Sequence, residues 1–83
     1  MSNLKQQMVT EQITATKTYS NKVSISVLNS HPTDALRVQQ EDGTYIVLKS
    51  GFNVTYVADA GQVLPDITIL TDATNLQAEI VAS

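Results

Sequence analysis

Leu36-Arg37-Val38-Gln39-Gln40-Glu41-Asp42-Gly43-Thr44-Tyr45-Ile46-Val47-Leu48 is the stretch that decides the fold. Apolar and polar residues alternate around an Asp-Gly step, the pattern of two antiparallel strands joined by a tight turn. A slip of one residue exchanges the faces of a strand, so loop length fixes which aliphatics share a side. A two-residue turn at Asp42-Gly43 sets Val38 against Val47 and leaves Ile46 and Leu48 on the side of Arg37 and Gln39. A three-residue loop, Glu41-Asp42-Gly43 with Gly43 left-handed, pairs Val38 with Ile46 and Leu36 with Leu48. This second register is expected, because it gathers four aliphatics on one buried face.

The same alternation spreads outward from this hairpin. Val23, Ile25 and Val27 alternate with Ser24 and Ser26; Phe52, Val54, Tyr56 and Ala58 alternate with Asn53, Thr55 and Val57. Ile67 to Thr71, with Ile67 and Ile69 inward, and Leu76 to Ala82 carry the pattern more weakly, and residues 72–82 fit a strand or a short helix. Turn residues separate these runs at 29–34, 41–43, 50–51, 59–61 and 64–66. A three-residue loop at Lys49-Ser50-Gly51 sets Leu48 against Phe52 and Ile46 against Val54, although Ser50-Gly51 also fits a crossing between two sheets. The expected fold is all-β, a small antiparallel sandwich or barrel of six or seven short strands. Its expected core is Val23, Ile25, Val27, Leu36, Val38, Ile46, Leu48, Phe52, Val54, Tyr56, Ile67 and Ile69. Residues 11–83 form the single β domain; Leu4 to Ile13 fits a helical arm with Leu4, Met8 and Glu11 on one side or the lead-in to a strand from Met8 to Thr18, and the alternation of Thr14, Thr16 and Thr18 favours the strand. Residues 1–10 form an extended polar arm, whose anchors Leu4, Met8 and Val9 are expected to dock on a neighbouring chain.

Composition narrows the function. The 83 residues include ten threonines and no cysteine or tryptophan, with one histidine, one arginine and three glycines. β-branched residues favour strands, and side chains that do chemistry are scarce. A domain of this size has a marginal core and commonly gains support from disulfides, metals or subunit contacts; subunit contacts are the support this composition allows. The net charge is −3, and the five basic residues are dispersed before residue 50. That is too few for a phosphate-binding stripe, so a nucleic-acid partner is not expected. No run reaches the roughly 18 apolar residues that span a bilayer, and Met1 to Gln7 lacks an apolar signal core. A soluble chain made in the cytoplasm, away from membranes, is expected. Asn53-Val54-Thr55 fits a glycosylation acceptor, but reads better as strand.

Each candidate for chemistry has a plainer reading. Ser30, His31 and Asp34 contain triad residue types, yet share one turn, whereas triads are assembled from separated segments beside an oxyanion hole. Asp59, Asp66 and Asp72 could approach a calcium ion, but no loop has the spacing that supplies six to eight oxygens. Glu41-Asp42 lies at a hairpin tip, which encloses nothing. Gly43, Gly51 and Gly61 are isolated and form no phosphate cradle. Tyr19, Tyr45 and Tyr56 could build a sugar-stacking platform, reduced to two members if Tyr56 joins Phe52 in the core. Neither enzymatic activity nor a cofactor is expected.

The runs Ala35 to Val38, Glu41 to Tyr45 and Val47 to Thr55 resemble, in their strand, Asp-Gly turn, strand, Ser-Gly turn, strand arrangement, small β-sandwich modules of tailed-bacteriophage virion proteins, including head-decoration proteins. The resemblance covers about residues 22–58 and carries no catalytic residues. It implies a bacteriophage structural protein, made in the host cytoplasm and resident in the virion. Such a protein clusters as a small homo-oligomer, such as a trimer, on a larger shell protein and cements or decorates the capsid. The alternative is a receptor- or glycan-binding β module of a fibre or tail.

Overall fold

Strands that are apolar on one face bury that face only by stacking a second sheet on it. In the computed structural model, which describes residues 9–71 and 76–83, the chain does this with eight strands and no helix among those residues. They are β1 (Val9–Ile13), β2 (Lys17–Tyr19), β3 (Ser24–Asn29), β4 (Leu36–Gln40), β5 (Tyr45–Leu48), β6 (Asn53–Val57), β7 (Ile67–Thr71) and β8 (Ala78–Ala82). One antiparallel sheet has the order β1-β8-β3-β6 and the other β2-β7-β4-β5. The sheets form an open sandwich, not a closed barrel.

The deciding hairpin adopts the three-residue register. Leu36 pairs with Leu48 and Val38 with Ile46. Gly43 takes φ +91°, a conformation that a side chain makes costly, and its N–H donates to the Gln40 carbonyl at 2.9 Å. The Lys49-Ser50-Gly51 loop instead carries the chain from one sheet to the other, so Leu48 does not pair with Phe52, nor Ile46 with Val54; β6 pairs with β3. Gly51, at φ +82°, makes that corner.

The N-terminal threonine run also crosses between sheets. The single strand expected from Met8 to Thr18 breaks at exposed Thr14, Ala15 and Thr16, giving β1 on β8 and β2 on β7. This break makes eight strands where six or seven were expected. β1 begins at Val9, inside the expected arm, and Val9 pairs with Ala82 of its own chain. Leu4 and Met8, the other expected contacts, lie outside the described residues.

Ile25, Val27, Leu36, Val38, Leu48, Ile67 and Ile69 are buried, with Val54 and Tyr56 half-buried against them. Val23 is half-buried at the start of β3. Two expected core residues belong elsewhere. Phe52 is 63% exposed because it sits in the corner before β6, where the pleat no longer directs its ring inward. Ile46 is 41% exposed: its face is correct, but β5 is the last strand of its sheet among the described residues. The core gains Ile13, Tyr19, Leu76, Ala78, Ile80 and Ala82. β8 is an inner strand of its sheet, and Ala78, Ile80 and Ala82 are its buried positions.

Ile80→Ala, at the fully buried centre of β8, is expected to lower stability by about 2–5 kcal/mol. Phe52→Ala should cost less than about 1 kcal/mol, because its ring already faces solvent. Chemical denaturation of both variants checks the pair.

Candidate interaction surface

The β3–β4 and β5–β6 connections meet at one buried polar residue. Asn29 ends β3 on the inward face and is fully buried. Burying an amide is costly unless its hydrogen bonds are made. Its Nδ2 donates to the carbonyls of Asp34 and Leu48 at 2.9 and 2.8 Å, and its Oδ1 accepts the His31 N–H at 2.9 Å. Its backbone N–H donates to the Phe52 carbonyl, and its carbonyl accepts the Gly51 N–H, both at 2.9 Å. The Ser50 hydroxyl donates to the His31 carbonyl at 2.6 Å. One side chain thus ties together the turn after β3, the end of β5 and the corner into β6.

His31 is engaged in the same turn. Its Nδ1 accepts the backbone N–H groups of Thr33 and Asp34 at 3.2 and 3.0 Å, so that nitrogen organises the loop. Nε2 lies 3.9 Å from the Asp34 carboxylate, while Ser30 is exposed. The arrangement accounts for these residues as turn chemistry. Among the described residues no group of three or more histidines and carboxylates is gathered for a metal, and Asp72 lies outside them. The three tyrosines do not share a platform. Tyr19 is buried on β2 at one side of the sandwich, Tyr56 is half-buried on β6 at the other, and Tyr45 is exposed on β5 with its ring centroid 5.6 Å from the Arg37 guanidinium carbon.

The two open sides of the sandwich are finished differently. At the β1–β2 side, register places Glu11, Lys17 and Tyr19 on inward faces. Lys17 Nζ donates to Glu11 Oε2 at 2.6 Å, and the Tyr19 hydroxyl donates to Oε1 at 2.8 Å, which latches one sheet to the other. The Lys17 ammonium, then the Tyr19 hydroxyl, hold the Glu11 carboxyl below its usual range; burial and the adjacent carboxylate push the Tyr19 phenol up. Inward charge on short edge strands also discourages pairing with another chain.

The β5–β6 side has no such protection. Tyr45-Ile46-Val47-Leu48 and Asn53-Val54-Thr55-Tyr56-Val57 contain neither charge nor proline, and among the described residues each strand pairs on one side only. All six large hydrophobics exposed among the described residues, Tyr45, Ile46, Val47, Phe52, Val57 and Val63, fall between positions 45 and 63. Between the two edges a cleft of about 110 Å³ is lined by Val38, Gln40, Thr44, Tyr45, Ile46 and Tyr56. Burial raises the Tyr56 phenol, against a hydrogen bond from the Gln40 side chain that lowers it. A broader depression of about 520 Å³ next to Val57 carries a single ionisable lining group, Asp59. An unpaired, uncharged, apolar edge is suited to contact with protein rather than to chemistry on a small molecule. The signal was present in the sequence as the unbroken run Tyr45 to Leu48, but only strand order reveals it as an edge.

Comparison of the chain with protein-family models, curated proteins and solved structures finds no match.

Asn29→Ala is expected to cost about 1–3 kcal/mol for each buried group it leaves without a partner, and to speed amide exchange in residues 30–35 and 48–52. Hydrogen exchange with a denaturation curve measures both. Glu11 has a lowered folded-state pKa, so its contribution to stability is present above the ordinary carboxylate range and is lost as pH falls through the lowered value. Glu11→Gln should therefore flatten the acid limb of a stability–pH profile below about pH 4.5 and leave the part of that profile around neutral pH unchanged in shape.

Proposed function

We propose that this chain is a structural protein that acts by assembly, decorating or cementing a virion shell through protein–protein contacts, with the β5–β6 side as its contact surface. The observation that carries this reading is the contrast between the two sides of the sandwich. One is closed by an ion pair and a tyrosine–carboxylate hydrogen bond, whereas the other presents two uncharged edge strands that carry exposed Tyr45, Ile46, Val47 and Val57. Soluble proteins normally blunt such edges with charge, proline or a covering segment. A surface of this kind is retained where another protein covers it.

The virion setting rests on the resemblance of residues 22–58 to bacteriophage virion modules. A small sandwich with a thin aliphatic core and a threonine-rich exterior suits a subunit stabilised by the body it joins. The glycan-binding alternative calls for aromatic rings presented together; Tyr45 and Tyr56 line one cleft, but it is small, about 110 Å³, and Tyr19 is buried on the other side of the sandwich.

Quantitative mass spectrometry of particles assembled from the genome that encodes this chain is expected to find it at a fixed stoichiometry to the major shell protein. Val47→Lys, which places a charge on the exposed side of β5, should lower its occupancy at least about tenfold without lowering its melting temperature. Absence of the wild-type chain from the particles, or full occupancy by the folded variant, would refute the reading.

A further inference from the structure

We infer that β5 is a two-fold pairing edge, and that its occupant is β5 of a second copy of this chain, laid antiparallel and centred on Ile46. The inference deepens the assembly reading above by naming the first contact.

The backbone pattern selects the geometry. Gln40 donates to the Thr44 carbonyl at 2.7 Å, so Thr44, and by alternation Ile46 and Leu48, face β4 with their backbone groups. Tyr45 and Val47 therefore turn their N–H and C=O groups to the open side. With the two-fold axis at Ile46, Tyr45 of each copy lies opposite Val47 of the other, and these two reciprocal pairs make four backbone hydrogen bonds. The register centred on Val47 would recruit the Lys49 carbonyl, which already accepts the Phe52 N–H at 3.0 Å. Centring on Ile46 uses only the free groups.

Side chains and charge favour the same arrangement. Ile46, 41% exposed at the mouth of the cleft beside Tyr56, meets Ile46 of the second copy at a non-hydrogen-bonded site, where cross-strand side chains are closest. On the outer face Tyr45 meets Val47, an aromatic against a β-branched residue. β5 is uncharged, but its ends are not: the exposed acids Glu41 and Asp42 lie before it and exposed Lys49 follows it. Antiparallel pairing sets Gly43 level with Lys49 of the second copy, so each acidic tip comes next to the other copy's lysine. Parallel pairing would set acidic tip against acidic tip. Charge complementarity thus identifies a second, antiparallel copy as the occupant, and the product is a continuous eight-stranded sheet, formed from two sheets of four. A contact centred on one short strand is small, so dissociation in the micromolar range is expected.

Sedimentation velocity of the full chain over a micromolar concentration series tests the pairing. The wild type should shift from the mass of one chain to that of two. Val47→Pro removes an N–H that β4 does not use, and proline is tolerated on an edge strand whose N–H faces out. It should weaken pairing at least about tenfold, since two of the four donors are lost, while circular dichroism stays unchanged. Lys49→Glu should also weaken pairing, most at low salt, and the double variant Glu41→Lys/Lys49→Glu should restore it, which keeps the test valid if the proline variant misfolds. A wild type that remains monomeric throughout, or a folded Val47→Pro variant that pairs as tightly as wild type, overturns the inference. A monomeric chain that still enters particles leaves the assembly reading standing without the pair. A dimer that never enters particles does the reverse.

Discussion

The buried amide of Asn29 is the constraint on which this sandwich depends. Neither sheet has a continuous strand that turns over into the other, so the layers are related through their connections. Asn29 reaches three of the segments involved: its side chain binds the 31–34 turn and the end of β5, and its backbone binds the corner at 51–52. Because the amide is fully buried, the cost of breaking one of these bonds is the desolvation of the groups left behind, not merely the net value of a hydrogen bond in water. The surrounding core is aliphatic and thin, with Ala78 and Ala82 at the centre of one sheet. Aliphatic packing is tolerant of small shifts, whereas the amide geometry fixes how the corner is folded.

The corner explains the exposed side. Once Leu48 is tied to Asn29 and Gly51 has turned the chain into the other sheet, β5 and β6 become the last strands of their sheets on the same side. Among the described residues no further strand pairs with them, since β7 and β8 enter the middle of the sheets instead. The opposite side receives β1 and β2, whose inward Glu11, Lys17 and Tyr19 close it with an ionic latch. The two sides are therefore finished differently although the net charge is small: one carries inward charged groups, and the other leaves two uncharged edge strands.

Much of this was legible in the chain, for a physical reason. Side-chain period and loop length are local, so the alternation around Glu41-Asp42-Gly43 determined the hairpin register and the left-handed glycine without reference to the rest of the molecule. The same locality gave the inward faces of β3, β4 and β7. It failed at Phe52, where alternation continued past the point at which the strand begins, and at Thr14 to Thr16, where a regular pattern concealed a crossing between sheets. Tyr19 and Ile80 escaped the expected core because short or weakly alternating runs carry little signal, and a strand's centrality is not encoded in its own residues.

The sequence by itself determined an all-β fold of short antiparallel strands, with sandwich or barrel left open, which faces of most strands turn inward, and a composition poor in the residues of catalysis. Those properties follow from pleat, turn length and residue type, all set over a few positions. Only the tertiary structure decided which strands are edges and what Asn29 is for. Ile46 and Val38 are paired and face the same way, yet one is exposed and the other buried. The difference is that β4 lies between β7 and β5 whereas β5 is last in its sheet among the described residues, and that depends on segments distant in the chain.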